Sequence, residues 1–362
     1  MSGVGESWRR LAGLTVELES WELELLGEGW RRTGQLRARG GGHEGLGEDV
    51  TWEGRDHDLW LMGFAEVAQK LPRGRLSLAD FAAQLDRLSD REEARTPLWP
   101  KPPLRETSRD YRRWALESAA LDLALKQSGK SLAEVLGREL RPMNYVASTT
   151  LGTPPTADIL SELTARSPGL RFKLDPVKGW PRALLEELAA RGDIAVLDFK
   201  GFYVGTPVDT EPDVGLVEMI LELFPEVILE DPWPIPELEA RLRSCADRVS
   251  WDAPIHGPAD LAARPWQPQV LNLKPSRFGP LSTLFETIEL ALEAGMRLYA
   301  GGQFEQGPGR EAVQTLAALY CPEGPNDCAP REFNQRPLPS TLPARPLVLE
   351  AVPGLAGRPR AD

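Results

Sequence analysis

Five ionisable residues stand out by type and spacing: Lys173, Asp198, Glu230, Asp252 and Lys274, separated by 25, 32, 22 and 22 residues. Each sits at the end of a short apolar run, in LRFKL, IAVLDF, EVILE, VSWD and QVLNLK. Three carboxylates crowded together repel one another unless a cation joins them, and hard oxygen ligands of this kind suit one Mg2+, or Mn2+ in its place. Asp198, Glu230 and Asp252 are therefore the candidate metal ligands. The flanking lysines, Lys173 and Lys274, are placed to face a substrate from opposite sides, one taking a proton and the other delivering it. As bases they are expected to have lowered pKa values, since cationic neighbours and desolvation disfavour a further charge. Only eight of the 42 basic residues are lysine. An ammonium kept within an apolar segment, as at Lys173, Lys200 and Lys274, can lose its proton where a guanidinium cannot.

The surrounding elements must bring these residues together. From Tyr145 onward, short apolar runs alternate with amphipathic helical stretches through seven units, from YVASTT and TADILSELTARS to MRLYAGG and REAVQTLAALY. That grammar predicts a parallel sheet closed into a barrel, with the C-terminal ends of its strands on one face. An open doubly wound sheet is the competing arrangement, but no Gly-rich fingerprint follows the first strand. Upstream, TVELESWELELL and TGQLRARGGGHEGLGEDVTW read as two strands around a polar turn, the second passing a bend at Gly40, Gly41 and Gly42. The helix RDYRRWALESAALDLALKQSG stops at Gly129, and Ser131 and Glu134 have capping-box spacing. Pro-rich 97–105 reads as a loop. The expected fold class is α/β: a (β/α)7β TIM-type barrel over 144–330 with an α+β capping domain over 1–143, onto which a tail, 331–362, folds back.

The composition narrows the function. Of 362 residues, 54 are acidic and 42 basic, a net charge of −12, which argues against nucleic-acid binding because phosphate recognition needs a concentrated basic face. No apolar run approaches the ~18 residues of a membrane span. The N-terminus has no apolar core of a secretory signal, and the three cysteines form no CxxC pair. A cytoplasmic protein, expected to be a homo-oligomer and to act on a small carboxylate molecule, is the reading.

In this order and register the motifs resemble the enolase superfamily, in its muconate-lactonising branch. Gly47-Glu48 is similar to a Gly-x-Gly-Glu turn of that family, and WALESAALDLALKQSGKSLAEVLG to the helices that close its capping domain. Arg171-Phe-Lys173 resembles its Lys-x-Lys strand, and Asn272-Leu-Lys274 the strand of the opposing base. Asp198-Phe-Lys200, Glu230-Asp231-Pro232 and Asp252-Ala-Pro resemble the three metal-ligand strands. KPSRFG and GGQFEQGPGR are similar to o-succinylbenzoate synthases and N-acylamino acid racemases. The resemblance implies proton abstraction next to a carboxylate, through an ene-diolate stabilised by Mg2+, with dehydration or racemisation as outcomes and dipeptide epimerisation or cycloisomerisation after them. It implies substrate contacts from Arg171, Lys200, Asn272, Gly301, Gly302 and Glu305. A barrel that binds without catalysing is the alternative from another class.

Three positions depart from the family pattern: Arg171 stands for its first lysine, Lys200 for an asparagine and Ala253 for a glutamate. Strand alternation points Lys200 at the mouth, where an ion pair with a metal-ligand carboxylate, first of all Glu230 or Asp252, and weakened Mg2+ binding are expected; a side chain that snorkels out to solvent is the alternative. Gly301, Gly302, Gly307 and Gly309 read either as a set of backbone N–H groups able to approach a substrate carboxylate or as simple turn glycines. His43, His57 and His256 share no metal-ligand spacing, and only His256, four residues past Asp252, lies near enough in sequence to reach the mouth.

Overall fold

The computed structural model describes residues 5–28, 31–88, 98–99, 101–206, 208–335 and 337–360; part of the Pro-rich loop expected at 97–105 falls outside these. The first part of the chain runs α1 (Glu6–Ala12), β1 (Thr15–Leu18), β2 (Ser20–Leu26), β3 (Thr33–Gly40), β4 (His43–Asp49), α2 (Gly54–Lys70), β5 (Gly74–Ser77), α3 (Leu78–Leu88), α4 (Ser108–Gln127) and α5 (Leu132–Leu136). β2, β3 and β4 form an antiparallel sheet, and β1 pairs with β5. There are more strands than the two expected. The first run breaks at Glu19, and Gly41 and Gly42, at φ 54° and 75°, reverse the chain between β3 and β4 in the left-handed region glycine tolerates. Gly47-Glu48 is consequently part of a strand and not a turn. Its glycine is required by packing: a Cβ at Gly45 would lie 2.2 Å from the Ala119 carbonyl oxygen, and one at Gly47 2.0 Å from that of Ala115. The backbone of α4 therefore lies directly on β4. α4 is buried from Ser108 to Leu125, charged residues included, and these are partnered as burial demands. Arg112 bonds Asp49 at 3.1 Å and stacks 3.8 Å from the Trp60 ring and 3.5 Å from that of Trp99.

The rest alternates: β6 (Val146–Thr149), α6 (Asp158–Arg166), β7 (Arg171–Leu174), α7 (Arg182–Arg191), β8 (Ile194–Asp198), α8 (Val214–Leu223), β9 (Ile228–Glu230), α9 (Pro236–Arg243), β10 (Val249–Trp251), α10 (Pro258–Ala262), β11 (Val270–Leu273), α11 (Leu281–Glu293), β12 (Arg297–Ala300) and α12 (Gly309–Tyr320). β6 to β12 form one sheet in sequential order, every neighbour parallel. Asn326 and Asp327 close it. The Val146 N–H donates to the Asn326 carbonyl at 2.9 Å, Asp327 N–H to Ala300 at 2.7 Å and Gly302 N–H to Asp327 at 3.1 Å. The fold is thus an α/β barrel with a separate α+β cap, and not an open doubly wound sheet. Val196, Ile228 and Val270 belong with Val146, Ala195 and Tyr299 to a small separate cluster, while the residues that follow them, Leu197, Leu229 and Leu271, join the main core. This alternation also sets Asp198 above Val196 and Glu230 above Ile228, on the same face of each strand.

The tail touches both parts of the molecule. Met143 and Leu347 exchange backbone bonds of 2.8 Å, and Leu355 N–H donates to the Asp122 carboxylate at 2.8 Å, on the cap side; on the barrel side the Tyr145 hydroxyl donates to the Pro343 carbonyl at 3.0 Å and Arg166 to that of Leu338 at 2.9 Å. No helix among the described residues is long and apolar enough to cross a membrane.

Candidate active site

Asp198 and Glu230 are the last residues of β8 and β9, Asp252 and Lys274 follow β10 and β11 directly, and Lys173 lies one residue before the end of β7. All five are buried. Lys173 Nζ is the hub. It lies 2.9 Å from Asp198 Oδ2, 2.7 Å from Glu230 Oε1 and 3.2 Å from Asp327 Oδ2. Asn272 Nδ2 also donates to Glu230 Oε1, at 3.0 Å, and the Tyr299 hydroxyl to Oε2, at 2.6 Å. Burial works against the Lys173 charge, but Asp198, Glu230 and Asp327 outweigh it and hold its pKa well above the ordinary lysine value. This corrects the expectation of a lowered pKa there: the neighbours are anions, not cations. Glu230 is pushed up to about 7 by burial and by the Asp198 charge.

Lys200 does reach the mouth and pairs with a candidate ligand carboxylate, but that carboxylate is Asp198 and not Glu230 or Asp252. Its ammonium pairs with Asp198 Oδ2 and lies 3.4 Å from Asp175 Oδ1, and its backbone N–H donates to Asp198 Oδ1 at 3.1 Å. The reason is local. β8 ends at Asp198, and Lys200, at φ 57°, turns the chain back over that carboxylate instead of extending towards Glu230 or Asp252.

Asp252 forms a second corner. Lys274 Nζ is 2.9 Å from its Oδ2, Arg277 Nε is 3.2 Å from Oδ1, and the Tyr203 hydroxyl donates to Oδ2 at 3.0 Å. Burial opposes the Asp252 charge; Arg277, Lys274 and Lys173 outweigh it and hold the carboxyl well below the usual range. Asp231 is buried beside this corner, accepting the Asp252 and Ala253 N–H groups at 2.9 and 2.8 Å. Burial and the Asp252 charge raise its pKa well above the usual value.

The glycine-rich segment departs from expectation most. Gly301 N–H donates to Leu273 and Gly302 N–H to Asp327; Gly307 and Gly309 N–H groups donate to the carboxylate of Glu48 at 2.9 Å. None of the four is left for a substrate carboxylate. Glycine is needed at 301 and 302 for room: a Cβ at Gly301 would lie 2.7 Å from Asn272 Oδ1, and one at Gly302 2.3 Å from Glu305 Oε2. Glu305 is buried and accepts the Gln303 N–H at 2.8 Å. Arg171 is not brought to the mouth. It opens β7 at the far end of the strand and is exposed, so a substrate contact there is corrected. His256 lies behind Asp252, its Nδ1 2.9 Å from the Arg277 carbonyl oxygen. A surface cleft of about 590 Å3 lies at the opposite end of the barrel, among Asp247, Gln269 and Arg297.

Sequence reasoning passed over Asp175, Tyr203, Arg277, Tyr299 and Asp327. Asp175 and Tyr299 were within reach of strand alternation, being two residues from Lys173 and Gly301. Arg277 lies one helical turn beyond Lys274. Asp327 had no signal, because it lies outside the named strands and meets the barrel only through isolated bridges at Asn326 and Asp327.

Two family models cover most of the chain: the "Domain of unknown function (DUF8230) N-terminal domain" over residues 9–135 and the corresponding C-terminal domain over 139–335. The chain belongs to the DUF8230 family. No curated protein matches it. Among solved structures, this DUF8230 protein is similar to a muconate cycloisomerase from Pseudomonas fluorescens, at 20% identity and a TM-score of 0.65 over 95% of this chain and 97% of that one. It is similar to a dipeptide epimerase from Methylococcus capsulatus, described as complexed with Mg ion, at 21% identity and a TM-score of 0.64 over 94% and 99%. An enolase-superfamily member from Enterococcus faecalis matches at 17% and a TM-score of 0.63 over 87% and 84%. At these identities the likeness is one of fold.

The bound Mg of the epimerase structure raises the question of fit. A metal ligand must offer free carboxylate oxygens, yet here Asp198 Oδ2 carries two ammonium groups, Glu230 is bonded at both oxygens, and Asp252 Oδ2 is held by Lys274 and Tyr203, leaving only Asp252 Oδ1, 3.2 Å from Arg277 Nε, without a hydrogen bond. Among the described residues no group of three or more acidic, histidine or cysteine side chains is disposed to hold a metal ion. As partnered here, Asp198, Glu230 and Asp252 do not fit Mg2+ or Mn2+. The carboxylates do meet a cation, and the cation belongs to the chain.

Proposed function

We propose that this protein is an enzyme that removes a proton from the carbon next to a carboxylate of a small organic acid, with Lys274 as its single base. The observation that supports this is the unequal holding of the two lysines. Lys173 lies within 3.2 Å of three carboxylates, and an ammonium held that way keeps its proton. Lys274 has one carboxylate at ion-pair distance among the described residues, Asp252, which it shares with Tyr203 and Arg277, while Asp198 and Glu230 act on it only from farther off. A base must give up its proton before it takes one, and Lys274 is the less tightly held.

One base favours a one-base outcome: dehydration of the o-succinylbenzoate-synthase kind, or cycloisomerisation, over racemisation and epimerisation. In the dehydration, Lys274 Nζ takes the α-proton, the electron pair left behind forms the new double bond as the C–O bond to the β-hydroxyl breaks, and Lys274 returns its proton to the departing oxygen as water. The substrate carboxylate gains charge before that bond breaks, and preorganised cations at the mouth stabilise it; Lys200 and Arg277 are those cations. Mg2+ is given no step.

The test is a screen of N-succinylamino acids, dipeptides and acid sugars for α-deuterium exchange or turnover in D2O by NMR. With an acid that reacts, Lys274→Ala should lower the rate by about 10²-fold or more. A rate unchanged in that variant rules out Lys274 as the base. The second reading, a barrel that binds an anion without turning it over, draws on the same saturation of the carboxylates, and predicts ligand binding with no exchange from any acid.

A further inference from the structure

We propose that the ammonium of Lys200 is a built-in replacement for a divalent cation, so that the native chain works without one. It deepens the reading above by naming how charge is stabilised at the mouth. Four observations carry it. Lys200 Nζ bonds Asp198 Oδ2, the oxygen Lys173 also contacts at 2.9 Å. It gathers a second carboxylate, Asp175, from the neighbouring strand end at 3.4 Å. The left-handed backbone at Lys200, φ 57°, is a conformation that a residue with a long side chain seldom takes without a compensating contact, and here it folds the chain back so that backbone and side chain both donate to Asp198. Finally, the side chain is 15% exposed, whereas that of Lys173 is 1% exposed, so the Lys200 charge is the one of the pair that a ligand in the mouth can meet.

A divalent cation at Asp198 would have to displace one ammonium and lie beside the other, and like charges at that separation in a buried site repel strongly. An ammonium differs from Mg2+ in the ligands it prefers. It donates to carboxylate oxygens at hydrogen-bond distance and cannot hold two substrate oxygens in one rigid coordination shell. The substrate this site suits therefore presents its carboxylate to a donor array, Lys200 with Arg277 and Tyr203 on the other side, and not to a metal.

The experiment is isothermal calorimetry with MgCl2, repeated with MnCl2, on the full-length chain and on Lys200→Asn and Lys200→Gly. Both replacements take φ near 57° readily, and circular dichroism checks that each folds. The expected result is no saturable heat from the native protein and metal binding at least about tenfold tighter in both variants, whose Asp198 and Asp175 are released. Native protein that binds Mg2+ as tightly as the variants overturns the proposal. So do variants that gain no binding, because Lys200 is then not what keeps the metal out. Calorimetry reads the metal alone, so this result stands apart from whether any acid is turned over.

Discussion

The carboxylate of Glu48, on cap strand β4, receives the backbone N–H of Gly307 on both oxygens, at 2.9 and 3.0 Å, across 259 residues of chain. Gln306 and Gly309 add N–H bonds of 2.6 and 2.9 Å, and Thr33 a hydroxyl at 2.6 Å. An acidic residue at the start of a helix complements its free N–H groups and dipole, and here that residue comes from the other domain. Cap and barrel are clamped at the edge of the mouth. Glu48→Gln places an amide NH2 where an acceptor is required. It should cost about 1–3 kcal/mol in urea unfolding and speed amide exchange at 306–309. Unchanged stability and exchange would show that the clamp carries no weight.

Lys173 and Lys274 should separate in stability. Lys173→Met leaves Asp198, Glu230 and Asp327 facing one another with one of their cations gone, a loss of about 3–5 kcal/mol. Lys274→Met leaves Asp252 still held by Arg277 and Tyr203, and the loss should be clearly smaller. Chemical denaturation of the two variants measures both. Equal losses would contradict the unequal partnering on which the single-base reading depends.

Arg112 joins Asp49 to two indole rings inside the cap. A guanidinium stacks flat and bonds in the same plane, which an ammonium cannot do. Arg112→Met leaves Asp49 buried without its partner and should cost about 3–5 kcal/mol, read from the shift in denaturation midpoint at constant slope. A loss under about 1 kcal/mol would mean the pair is solvated in the native protein.

Thiol titration tests the packing of the barrel's closing segment. Burial pushes the Cys321 thiol up to about 12 and that of Cys328 well above its ordinary value, while Cys245 is only partly buried. The thiolate is the reactive form. At pH 8 a chromogenic thiol reagent should modify Cys245 alone in the native protein, and all three cysteines after unfolding. Rapid reaction of two or more thiols in the native protein would mean that the segment carrying Asn326 and Asp327 opens.

The sequence was most legible where a period governs placement. One βα unit separates each strand end from the next, so Lys173, Asp198, Glu230, Asp252 and Lys274 could be assigned to one face before any geometry was known. It was least legible where the chain leaves regular structure. Alternation does not extend past Asp198, so the partners of Lys200 depended on a single positive φ. The barrel closes through isolated bridges at Asn326 and Asp327, which have no periodicity to announce Asp327. The N–H groups of Gly307 and Gly309 suggested an anion, correctly in chemistry, but the anion is Glu48, and no local pattern points across 259 residues. The need for a cation among the carboxylates was readable from repulsion, and so was an ammonium from Lys200; that Lys173, Lys274 and Arg277 share the task was not, because side-chain reach and local turns decide which charge arrives.

The most direct measurement is α-deuterium incorporation into a reacting acid in D2O with a chelator present, comparing the native chain with Lys274→Ala. The account predicts that the native chain exchanges or converts the acid at the same rate with and without chelator, and that Lys274→Ala falls by about 10²-fold or more in both conditions. Exchange that disappears with the chelator and returns with Mg2+, or that persists in Lys274→Ala, would contradict it.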